Sequence, residues 1–106
     1  MIKLLESIQS LSIKNGKSLE QIGLKLSEET GECSQALLSY VNAEGSVYKG
    51  LGSQDVKEEC VDVIMVAISL FYKLGGNNKE LVNLIGEKME KWQNKVNIKN
   101  GGMKNA

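Results

Sequence analysis

Apolar residues recur at helical spacing along most of the chain, and the breaks between the runs carry glycine and asparagine. Over residues 2–14, Ile2, Leu5, Ile8, Leu11 and Ile13 mark one apolar stripe, and Asn15-Gly16 ends it. Ser18 with Gln21 three residues on has the form of a capping box and opens a second helix over about residues 19–43. A glycine-rich connection covers residues 44–53. Ser53 is the expected N-cap of a third helix, with Asp55 in its first turn and Gly75-Gly76 as its stop after Leu74. Asn77 with Glu80 starts the fourth, which is expected to run to about Asn97 before a frayed tail over residues 98–106. No segment has the period of a strand, there is no proline, and no repeat or composition shift marks a boundary. The pattern predicts one all-α domain over residues 1–106, a four-helix bundle with short connections.

At 106 residues a chain buries only about 60–65% of the surface its unfolded form exposes, so an oligomer that completes the core is expected. The longest apolar run, Val63 to Ile68, is six residues, far below the roughly 20 needed to span a membrane. Cys33 and Cys60 sit in helical patterns with no signal peptide ahead of them, which fits a reducing cytoplasm better than a secreted disulfide scaffold. Both are read as small packing residues.

Chemistry is narrowed by what is missing. With no His, the histidine-dependent nucleophile systems and zincin-type sites are excluded, and acid–base work falls to carboxylates, Lys, Tyr or metal-bound water. All 13 basic residues are lysines and they balance 13 acids, which argues against binding a nucleic-acid polymer. The neutrality hides a segregation: eight acids face two lysines between Glu28 and Asp62, whereas seven lysines face three acids from Lys73 onward.

Two carboxylate pairs interrupt apolar stripes. The second helix has a core stripe Leu19, Ile22, Leu26, Glu29, Cys33, Ala36, Tyr40. Glu29 lies in its middle, and Glu32, three residues on, is one turn along and about 60° around, so both carboxylates can converge. From Cys60 to Tyr72, 11 of 13 residues are apolar. That helix is therefore expected to be buried on nearly every side, Asp62 included, with Glu59 on the same face. Buried acids of one sign need cations, and hard divalent ions such as Mg²⁺ or Mn²⁺ take oxygen ligands. Glu28, about 100° from Glu29, leaves three readings open: solvent, a second ion, or a water it orients. Glu58 is assigned to solvent. Gly31, inside the motif, is expected to permit a close helix approach.

Glu28-Glu29-Thr30-Gly31-Glu32, 26 intervening residues, and then Glu59-Cys60-Val61-Asp62 resemble the EExxE…ExxD signature of the MazG-like all-α nucleotide pyrophosphohydrolases. The resemblance covers the second and third helices and their connection. It implies Mg²⁺-dependent hydrolysis of (deoxy)nucleoside triphosphates to the monophosphate and pyrophosphate, with Mn²⁺ as a possible substitute. It further implies Glu29, Glu32, Glu59 and Asp62 as metal ligands, Glu28 as support for the site or for a further ion, and a homodimer or dimer of dimers. Candidate substrate contacts are Lys88 and Lys91 on the fourth helix, whose apolar stripe is Leu81, Ile85, Met89, Trp92 and Val96. Tyr48 and Lys49 in the glycine-rich connection could reach phosphate or base, and Trp92 is a candidate stacking surface for a base. The competing readings are a non-catalytic helical interaction module that keeps the acids, and a hydrolase of another pyrophosphate-linked small molecule.

Overall fold

The computed structural model describes residues 2–41 and 52–105, with side chains through residue 99. The described residues form four helices and no strand: α1 (Ile2–Lys14), α2 (Leu19–Tyr40), α3 (Ser53–Lys73) and α4 (Asn78–Asn105). The chain divides into two compact units, Met1–Gly75 and Gly76–Ala106. No helix of the described residues is long and apolar enough to cross a membrane.

In the first unit α3 is the common element, because both α1 and α2 pack on it. The start of α2 follows from its sequence: Gln21 N–H donates to Ser18 Oγ at 3.1 Å, and Ser18 N–H donates to the Gln21 side chain at 2.8 Å. The start of α3 lies one residue earlier than expected. Gly52, not Ser53, is the cap, and its N–H donates to the Asp55 carboxylate at 2.8 Å. A carboxylate three residues into the helix thus holds the cap position without any help from the Ser53 hydroxyl. α3 ends as expected, at Gly75, whose φ of 90° is open to glycine and strained for other residues. At the same end, Lys73 Nζ donates to the Asn15 carbonyl and ties the close of α3 to the connection between α1 and α2.

The core is small. Among the described residues its buried apolar side chains are Ile8, Ile22, Ala36 and Tyr72. On α1 the buried pair is Ile8 and Ser12, whereas Ile2, Leu11 and Ile13 are exposed, so the inward face is rotated from the stripe expected. Ser12 is accepted there because its hydroxyl donates to the Ile8 carbonyl at 2.6 Å and meets Ser69 Oγ at 3.2 Å. On α2, Ile22, Glu29 and Ala36 are buried as the stripe requires, while its ends, Leu19 and Tyr40, are exposed. α3 departs furthest from expectation. Only Tyr72 is buried on it, and Val61, Ile64 and Met65 are exposed, because α1 and α2 cover one side of a helix whose apolar residues run all the way round.

In the second unit, Glu80 N–H donates to Asn77 Oδ1 at 2.8 Å, which caps α4 where the sequence places its start. α4 then continues to Asn105, through the segment expected to fray. Gly101-Gly102 lowers helix propensity there, but no proline follows to remove a hydrogen bond.

Candidate metal centre

α2 and α3 bring together all five carboxylates singled out in the sequence. One oxygen from each of Glu28, Glu29 and Glu32 lies within 4.8 Å of the others, and the same holds for Glu29, Glu59 and Asp62. Glu29 belongs to both groups, so the five acids form two triads that share a corner. The first triad comes from consecutive turns of one helix; the second joins α2 to α3.

The burial is uneven. Glu29 is 7% exposed and Glu59 is half-buried, whereas Glu28, Glu32 and Asp62 are exposed. The expected burial of Asp62 is thereby corrected, for the reason given for α3 as a whole: its side of the helix is not covered by α1 or α2.

Two oxygens in this group are buried and have no hydrogen-bond partner among the described residues, Oε2 of Glu29 and Oε2 of Glu59. A buried carboxylate oxygen without a donor is unfavourable, and a cation between the two is the ordinary way to offset that. Electrostatics points the same way. Burial first, then the neighbouring charges of Glu32, Asp62, Glu29 and Glu58, push the Glu59 carboxyl above its usual range. Glu32 is pushed up as well, chiefly by the charge on Glu29. All-oxygen, multiply acidic donor sets of this kind suit Mg²⁺ or Mn²⁺.

Lys25 is a neighbour of the cluster that sequence reasoning missed. Its Nζ lies 3.0 Å from Glu29 Oε1 and 3.5 Å from Glu28 Oε1. These contacts, with Glu29 first, raise the lysine above its usual range. The signal was in the chain, since Lys25 precedes Glu28 and Glu29 by three and four residues, the spacing at which helical side chains meet. Lys25 also lines a cavity of about 180 Å³ beside Lys17, Ile22 and Met65.

Cys33 and Cys60, each following a carboxylate of the site, meet with their Sγ atoms 3.8 Å apart and are free thiols. The packing role expected of them holds in part, for Cys33 is half-buried and Cys60 is exposed. Gly31 does not mark a close approach: a Cβ built there meets nothing within 4 Å. Lys88, Lys91 and Trp92 are exposed on α4, and Trp92 lines an open groove with Met89, Gln93 and Val96. Tyr48 and Lys49 lie outside the described residues. No family model, curated protein or solved structure matches the chain.

Proposed function

We propose that the protein is a Mg²⁺-dependent nucleoside triphosphate pyrophosphohydrolase, releasing the monophosphate and pyrophosphate. The observation that carries the reading is the pair of buried oxygens on Glu29 and Glu59 that have no partner among the described residues, inside a triad completed by Asp62. The EExxE and ExxD spacing of the sequence supplies the reaction class.

In this reading Glu29, Glu59 and Asp62 hold the ion, and Glu32 and Glu28 support it from the adjoining triad. Mg²⁺, when bound, supplies charge neutralisation for the phosphates and lowers the pKa of a water. The chain contributes position and proton transfer. With no His available, a carboxylate of the cluster accepts the proton of the attacking water as pyrophosphate leaves in line. Lys88, Lys91, Trp92, Tyr48 and Lys49 remain the substrate-contact candidates offered by the sequence. The exposed apolar residues of α1 and α3 support self-association as a dimer or dimer of dimers.

The test is pyrophosphate release from the eight common ribo- and deoxynucleoside triphosphates with Mg²⁺, with Mn²⁺ and with EDTA. Metal-dependent formation of monophosphate and pyrophosphate is expected. Silence across the panel, with Mg²⁺ still raising Tm, would move the substrate to another pyrophosphate-linked molecule. Silence with no metal effect would leave a helical interaction module.

A further inference from the structure

Two triads that share a carboxylate look ready for two ions, since paired metals about 3.5–4 Å apart commonly bridge such a residue. The side chains around Glu29 divide the triads differently. We propose that Lys25 is a resident cation of the Glu28–Glu29–Glu32 triad, so that the protein takes a single divalent ion, at Glu29, Glu59 and Asp62. This rests on the metal-dependent reading above.

Three observations carry it. The Lys25 ammonium reaches Glu29 Oε1, at 3.0 Å, and Glu28 Oε1, at 3.5 Å, so it pairs with two acids of the first triad, the shared Glu29 among them, and with neither Glu59 nor Asp62. The partnerless buried oxygens belong to Glu29 and Glu59, hence to the second triad; Glu28 and Glu32 face solvent and contribute none. The shortage of positive charge therefore falls on the two oxygens that Lys25 does not pair with, Oε2 of Glu29 and Oε2 of Glu59. Glu29 itself is more than nine-tenths buried, so its Oε2 has no recourse to water.

The chemistry of lysine suits the role. An ammonium is a compact point charge on a flexible stem, and α2 delivers it from one turn upstream, at the spacings where opposite charges meet on a helix. A pair between two exposed groups would be worth little, but here one partner is buried, where screening by water is weaker. The first triad's remaining two acids are hydrated, so a divalent ion that displaced Lys25 would gain less there than between Glu29 and Glu59.

Titration with Mn²⁺ alone, followed by the electron paramagnetic resonance signal of the free ion, tests this on the full chain. One ion per chain is expected for the native protein, two for Lys25→Met, and one for Lys25→Arg, which keeps the charge. Circular dichroism checks that each variant is folded, and Lys25→Gln serves if Lys25→Met is not. Two ions in the native protein, or one in the neutral variant, would overturn the assignment while leaving the metal site standing. No bound ion in any of them would overturn both the assignment and the metal-dependent reading.

Discussion

The Sγ atoms of Cys33 and Cys60 lie 3.8 Å apart, each on the residue after a carboxylate of the site, Glu32 on α2 and Glu59 on α3. The thiol contact therefore fixes the register in which the two Glu-Cys steps face one another. The two thiols differ in access to solvent, Cys33 being half-buried and Cys60 exposed. The hydrogen bond to Cys60 and then burial push the Cys33 thiol up, so it resists becoming a thiolate. In alkylation with iodoacetamide near pH 8, followed by mass spectrometry, Cys60 should be modified several-fold faster than Cys33. Cys60→Ala should speed the labelling of Cys33; equal rates in the native protein would refute the inequality.

Removing a ligand should separate chemistry from folding. Asp62 is exposed, so Asp62→Asn is expected to leave the helical circular dichroism signal unchanged while cutting Mg²⁺-dependent pyrophosphate release by at least about 100-fold. Glu29→Gln should do the same, because both triads lose their shared corner. Full activity in either variant would remove that residue from the ligand set.

A pH series distinguishes the metal-free from the metal-bound protein. Glu59 is pushed above the usual 4.5, so its neutral form fits the fold better than its charged form. The stability it contributes is complete below the unfolded value and is lost as pH rises through the higher folded value. In EDTA, the Tm of the native protein should therefore fall relative to that of Glu59→Gln as pH rises from about 4.5 toward neutrality. Saturating Mg²⁺ should reverse the trend, since it favours the charged form. A difference in Tm that does not change with pH in EDTA would contradict the strained carboxylate.

Gly31 lies inside α2 with open space where a side chain would stand. Alanine there should stabilise the protein by about 1 kcal/mol, or about 4–8 °C in Tm for a domain of this size. Thermal melts of Gly31→Ala decide the point, and a loss of stability would restore a packing role for the glycine.

On α4, Lys91→Ala should raise KM and spare kcat if its ammonium meets the substrate phosphates, because it would then contribute binding common to ground and transition states. Unchanged steady-state kinetics would return Lys91 to solvent.

Much of this site is legible in the sequence because one helix face carries it. The stripe of α2 places Glu29 among buried neighbours, and three-residue spacing brings Glu32 beside it. The Ser18 and Gln21 cap was equally local, as was the glycine that ends α3. What failed depended on surroundings that a pattern does not contain. Asp62 sits among apolar residues, yet exposure is set by which helices cover α3, and α1 and α2 cover one side only. Ser12 took a core position on α1 because Ser69 and the Ile8 carbonyl satisfy it. Lys25 was illegible for a different reason: a lysine three and four residues ahead of two acids ordinarily makes a solvated surface pair, and only the burial of Glu29 sets this one apart.

The shared corner has a consequence for how such a chain can change over generations. Glu28, Glu32, Glu59 and Asp62 each belong to one triad, so mutating any of them leaves three carboxylates converging elsewhere. Glu29 belongs to both. Drift at codons 28 and 32 leaves the Glu29–Glu59–Asp62 triad whole, and drift at codons 59 and 62 leaves the triad that Lys25 serves, whereas a single substitution at codon 29 dismantles both halves in one step.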